Sequence, residues 1–92
     1  MGTTAAVTVT DTATLVIPAN TRRQSFYFFN NGPNRCAIGE NSAITFATAL
    51  PVEASSQLSE DRGENLWKGD VYAICGAGLS TEIRYWERTH NG

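Results

Sequence analysis

Ser25 to Gly39 reads SFYFFNNGPNRCAIG, and the rest of the chain arranges itself around this stretch. Four consecutive aromatics, Phe26 to Phe29, run into the turn cluster Asn30-Asn31-Gly32-Pro33-Asn34, and a second apolar run, Cys36-Ala37-Ile38, follows. Successive side chains of a strand point to opposite faces, so Phe26 and Phe28 share one face while Tyr27 and Phe29 share the other. Both faces of this strand therefore need cover. The stretch reads as the central hairpin of a two-layer β domain to which the remaining segments add strands.

Outward from the hairpin, the same pattern recurs. Upstream, Leu15-Val16-Ile17 is a compact apolar strand stopped by Pro18, and Pro18-Ala19-Asn20 opens onto Arg22-Arg23. Two adjacent arginines suit a carboxylate or phosphate on a partner, yet a solvated loop is the simpler reading. Downstream, Ile44-Thr45-Phe46 reads as a strand and Pro51 closes the segment after it. Gln57-Leu58-Ser59 reads as a short edge strand and Glu60 to Asn65 as a polar loop. Leu66-Trp67-Lys68 leads through a Gly69-Asp70 turn into Val71 to Ile74, a nearly continuous apolar strand that predicts burial on both sides. After Gly76-Ala77-Gly78, residues Ser80 to Glu87 alternate most clearly, with Ile83 and Tyr85 facing one way and Glu82, Arg84 and Trp86 the other.

No stretch carries an apolar stripe at helical spacing, and turn signals recur roughly every 8–12 residues. The predicted fold is all-β, an antiparallel, jelly-roll-like β-sandwich of about 7–8 short strands. Residues 15–89 form its single domain and 90–92 a tail, preceded by a Thr- and Ala-rich stretch over 1–14. In that stretch Val7-Thr8-Val9-Thr10 alternates as a strand does, which leaves an edge strand or an extended arm. Its small apolar area does not by itself offset the entropy of ordering, and the expectation is that residues 1 to about 12 lie along a neighbouring subunit.

Composition narrows the function. Ninety-two residues make one small domain with a core of modest size. Seven basic and nine acidic residues give a formal charge of −2, without the positive field that phosphate-backbone binding requires, so nucleic acid is not an expected partner. Apolar runs fall far short of the ~20 residues that span a bilayer, and Met1-Gly2-Thr3-Thr4 has no basic segment followed by an apolar core. A soluble protein with neither membrane partner nor secretion signal is expected. Cys36 and Cys75 are the only cysteines; two buried thiols or one disulfide between strands both fit, and a reducing cytoplasm favours the thiols.

Chemistry is sparsely supplied. The single histidine, His90, is the third residue from the end, where a firmly held general base is not expected. Glu60, Asp61 and Glu64 gather three carboxylates in five residues but lack the spacing of a calcium loop, and an exposed acidic loop is the plainer reading. Gly76-x-Gly78 follows a strand but leads into another strand, so the phosphate-cradling helix of a dinucleotide site is missing. Neither catalytic residues nor a cofactor are expected. The aromatics remain: Trp67, Trp86, Tyr27 and Tyr72, of which Trp86 lies on the polar side of its strand, as an interface anchor would. A sugar-binding module would instead hold two such rings exposed on one face, near an amide such as Asn65.

Leu15 to Asn20, then Arg23-x-Ser25 to Asn31, then Cys36 to Gly39, with the later Gly69-Asp70-Val71-Tyr72-Ala73-Ile74 and a closing strand ending in Glu87, resembles a group of small tailed-bacteriophage virion proteins. The resemblance covers about residues 15–87. It implies a β-sandwich on the phage particle, placed in the virion after assembly in the host cytoplasm, with no catalytic residues to carry over. Tyr27, Phe29 and the Thr-rich leader depart from the pattern. The expected function is a non-enzymatic capsid decoration, or cement, protein on the outer head surface. It would bind the major capsid protein or another virion protein as a homo-oligomer, a trimer by preference. Expected contact residues are Trp86, Trp67 and Tyr27, with Arg22 and Arg23 against acidic capsid groups and Val7 and Val9 from the leader. The alternatives are a receptor- or glycan-binding module of a spike, fibre or tail, and a neck or tail joining protein.

Overall fold

The computed structural model describes residues 2–60 and 67–89, and among them there are only strands, turns and irregular segments. The strands are β1 (Gly2–Val9), β2 (Thr14–Ile17), β3 (Arg23–Asn30), β4 (Cys36–Gly39), β5 (Leu50–Val52), β6 (Gln57–Glu60), β7 (Val71–Cys75) and β8 (Thr81–Thr89). They form two four-stranded sheets, β1-β8-β3-β6 (sheet A) and β2-β7-β4-β5 (sheet B). Every pairing is antiparallel. The pairs β1·β8, β2·β7, β3·β6 and β4·β5 are those of one long hairpin, and the added β8·β3 and β7·β4 pairings roll it into two sheets. That order is the jelly roll, which leaves the predicted small β-sandwich as the observed fold.

The core lies between the sheets and follows from alternation. Sheet A contributes Val9, Phe26, Phe28 and Ile83, and sheet B contributes Ile17, Cys36, Ile38, Val71, Ala73 and Cys75, all buried. Phe28, Ile17, Ile83 and Val9 have no exposed surface. At about 1.5–3 kcal/mol per fully buried large apolar side chain, this layer is the main favourable term in the fold.

Three expectations are corrected here, and the first is the hairpin: β3 pairs with β8 and β6 in sheet A while β4 pairs with β7 and β5 in sheet B, so the turn at Asn31 to Asn34 carries the chain from one sheet to the other. Of the two readings of the leader the edge strand is the one observed: β1 stands at the edge of sheet A and pairs with β8 through an unbroken register from Gly2↔Arg88 to Val9↔Thr81. Its ordering is offset within its own chain, by a complete ladder and by Val7 and Val9 facing the core. Residues 44–46 are not a strand. Local bonds hold that segment in turns instead, with Ala43 N–H on Asn41 Oδ1 (2.9 Å), Thr48 and Ala49 N–H on the Thr45 carbonyl (3.2 and 3.0 Å), and the Thr45 and Thr48 hydroxyls paired at 2.6 Å. Its apolar residues lie on the outer face of sheet B, Ile44 in the space a side chain on Gly39 would need and Phe46 close to Gly76. That cover explains why Ala37 is fully buried on the outward side of β4, and why Tyr72 and Ile74 of β7 are half-buried rather than enclosed. The strand that does follow is β5, where Pro51 is tolerated because β5 pairs on one side only, with β4.

The third correction is Arg23, predicted in a solvated loop or at an interface and found with no exposed surface. Its register shifts between Arg23 and Ser25, a bulge that turns the side chain inward. Nε donates to Glu87 Oε2 at 2.7 Å, Nη1 to the carbonyls of Trp67 (2.8 Å) and Gly69 (3.0 Å), and Nη2 to the carbonyl of Pro18 (2.8 Å). The guanidinium also lies 5.4 Å from the Phe26 ring centre. At the other end of β3 the Asn30 side chain is equally buried. Its amide donates to the carbonyls of Asn34 (2.8 Å) and Val52 (3.1 Å), and its oxygen accepts from Thr81 Oγ1 (2.6 Å) and Gly32 N–H (3.3 Å). Gly32 is required at this turn because any Cβ there would collide with Thr81 and the backbone of Glu82.

Cys36 and Cys75 face each other across the β4·β7 ladder as buried free thiols. Burial, reinforced by the nearby Cys75, pushes the Cys36 thiol up to about 12, and Cys75 is raised by burial and then by Asp11. Tyr85 is raised by burial and then by Glu87.

Two outcomes are expected. Replacing Arg23 by Met strands Glu87 and three carbonyls in the interior and costs about 3–5 kcal/mol in urea unfolding. That is a large share of the ~5–15 kcal/mol available to a small domain. Adding Glu87→Leu recovers part of the loss, and a single Arg23→Met variant as stable as the parent would contradict the clasp. The second concerns alkali. Groups whose pKa is raised by folding stabilise fully below their unfolded values and lose that contribution as pH climbs through the folded ones. Stability should therefore hold to about pH 9 and fall between there and about 12 by up to ~1.4 kcal/mol per unit for Cys36. Thiol reagent at neutral pH should label neither cysteine until denaturant is added.

Candidate functional site

The outer face of sheet A carries the side chains that β3 and β8 turn away from the core. Directly opposed residues share a face, so the register places Tyr27 beside Trp86, Phe29 beside Arg84, and Ser25 beside Arg88. From β1, Thr4 flanks Trp86, Ala6 flanks Arg84 and Thr8 flanks Glu82. The Tyr27 and Trp86 rings stack with centroids 5.3 Å apart and planes 18° from parallel, and both are exposed, at 38% and 40%. The Arg88 guanidinium lies 5.3 Å from the Trp86 ring centre. Such cross-strand rings hold each other upright on the sheet, contributing about 0.5–1.5 kcal/mol beyond their buried area.

The neighbouring row is polar. Arg84 Nε pairs with Glu82 Oε1 at 3.1 Å, and Asn31 Nδ2 donates to the same oxygen at 2.8 Å. The Asn31 hydrogen bond first, and Arg84 second, hold the Glu82 carboxyl below the usual carboxylate range. Arg84 is thereby engaged within the sheet. Among the described residues Arg88 forms no ion pair.

The remaining expected contact residues lie elsewhere. Trp67 is half-buried against the core, its indole N–H donating to the Asp70 carbonyl at 2.8 Å. Arg22 is exposed in the turn before β3, where its N–H is capped by Asn20 Oδ1 at 2.9 Å. Arg23 is interior, as above, and cannot meet a capsid carboxylate. Val7 and Val9 face the core, Val9 without exposed surface, and are corrected from contact residues to packing residues. Tyr72 is half-buried on sheet B. Asp61, Glu64, Asn65 and His90 lie outside the described residues, as does the side chain of Glu60. Among the described residues no group of three or more His, Cys, Asp or Glu is placed to hold a metal.

Arg88 and Phe29 were not singled out from the sequence as contact residues. The signal was present in the alternation of β8, which puts Glu82, Arg84, Trp86 and Arg88 on one face once the strand is extended past Glu87. A second feature is a cleft of about 400 Å³ lined by Phe26, Ile38, Ile44, Leu58, Trp67 and Val71 among others. Glu40 is its one titratable group among the described lining residues, beside the polar Asn41 and Thr48, and the rest of the lining is mostly apolar.

No family model, no curated protein and no solved structure matches this chain.

A double-mutant cycle checks the stack. Tyr27→Ala and Trp86→Ala should be non-additive in unfolding free energy by about 0.5–1.5 kcal/mol, and strict additivity would mean that the rings do not pair in solution.

Proposed function

We propose that the chain is a non-enzymatic structural protein of a tailed-bacteriophage virion, a capsid decoration protein that lays the outer face of sheet A against the assembled head. The observation that carries this reading is the exposed Tyr27–Trp86 stack with Arg88 beside it. Aromatic rings and arginine are the side chains that dominate protein–protein binding energy, and here they are held upright on a rigid sheet rather than on a loop. Arg88, without an ion pair among the described residues, supplies a cation for a carboxylate of the partner, the major capsid protein in this reading. The sequence resemblance to virion proteins supports the same reading, and the jelly roll accommodates it, since that architecture builds viral capsid and lectin domains alike.

The lectin-like alternative needs a ring face open to the C–H surface of a pyranose. Trp86 has Tyr27 stacked on it and Arg88 over it, so the geometry favours contact with a protein surface.

Phage heads assembled without this protein should inactivate at lower temperature or under milder osmotic shock than complete heads. Adding the purified protein should restore resistance, and Trp86→Ala should weaken its binding to the heads by about 30-fold or more, the loss of a hot-spot residue. Heads equally robust without the protein would overturn the cementing role. Binding that Trp86→Ala leaves unchanged would overturn the face.

A further inference from the structure

The two sheets have four edges, and three are blunted. β5 is three residues long and contains Pro51, β6 is four residues long and ends in Glu60, and β2 is four residues long, bulged, and followed by Pro18. β1 differs on every count: eight residues, GTTAAVTV, with no charge, no proline and no break in its register. Folded proteins protect long straight edges because unpaired N–H and C=O groups recruit another strand.

The direction of those groups follows from the ladder. Asn31 N–H donates to the Glu82 carbonyl at 2.8 Å, so Glu82, and with it Arg84, Trp86 and Arg88, turn their backbone groups toward β3. The alternate residues Ile83, Tyr85 and Glu87 turn theirs toward β1, where they meet Val7, Ala5 and Thr3. Thr4, Ala6 and Thr8 are left presenting N–H and C=O to the open edge.

We propose that β1 is the joint between two copies of this chain, paired antiparallel about a two-fold axis at Ala6. Ala6 then faces Ala6 of the second copy, and Thr4 faces Thr8 in both directions. Roughly six backbone hydrogen bonds form, turning two four-stranded sheets into one of eight. The composition of β1 suits pairing with its own copy. Antiparallel self-pairing sets Thr against Thr on the outer face and Ala5 against Val7 on the inner face, and with no charge in the strand no like-charge pair arises. Such a joint is isologous and closes as a pair, not as the trimer expected from the sequence. It is independent of what the outer face of sheet A binds.

Two substitutions separate the joint from the fold. Ala6→Glu places the new carboxylate opposite Arg84 in its own chain, but against an identical carboxylate across the axis. Ala6→Pro removes an N–H that the β1·β8 ladder does not use, and edge strands tolerate proline on that side. Sedimentation velocity of the intact protein should show a dimer, or an assembly of dimers, that both variants split, with circular dichroism unchanged. Ala6→Cys adds a test that does not depend on affinity. Directly paired Cα atoms ~5.5 Å apart lie within disulfide reach, so oxidation should yield a covalent dimer while the buried Cys36 and Cys75 stay reduced. A monomer that Ala6→Cys fails to cross-link, or an assembly that Ala6→Glu leaves intact, would overturn the proposal.

Discussion

The guanidinium of Arg23 is the tie on which the arrangement of the sheets depends. A buried charge is tolerated only when its donors are matched, and here four bonds go to Glu87, Trp67, Gly69 and Pro18. Those acceptors belong to β8 in sheet A, to the approach to β7, and to the end of β2 in sheet B, so one side chain fixes three segments that the sequence separates widely. Nonpolar burial supplies more free energy but is indifferent to which strand sits where. Directional bonds to a buried cation have few alternative solutions, and they specify this corner of the jelly roll. Asn30 does the same for the opposite end of β3, joining the turn after it to β5 and β8. The central strand is thus held at both ends by buried polar side chains and along its length by Phe26 and Phe28.

What could be read from the sequence was whatever alternation alone decides. The aromatic run of β3, the turn at Asn31 to Asn34 and the alternation of β8 are local, and they gave two strands with a turn between them, the sandwich class and the outward placing of Trp86, but not the partners of those strands: β3 and β4 form no hairpin and lie in opposite sheets. What could not be read depends on pairing between distant residues. Arg23 looks like half of a solvated Arg-Arg pair until a bulge turns it toward Glu87, 64 residues away. Ile44 and Phe46 alternate as a strand would, but small residues on β4 and after β7 leave room for their side chains on the face of sheet B, and the local hydroxyl and amide bonds then win. Val7 and Val9 were legible as alternating; that they face their own core rather than a neighbour follows from the β1·β8 ladder.

Sheet A brings the two surface features together, the aromatic face on β3 and β8 and the open edge on β1, one strand away. Joining two copies at that edge sets the strands in the order β3-β8-β1-β1-β8-β3. The two Trp86 residues then stand on one continuous face, three strand spacings across and four residues along, about 20 Å apart. A face of that kind engages a repeated surface at two points at once, and each contact raises the effective concentration of the other. A shell built of identical subunits offers repeated sites of this kind, whereas a single soluble partner offers one. The separation is fixed by the sheet rather than by a linker, so the gain is confined to surfaces whose own repeat matches it.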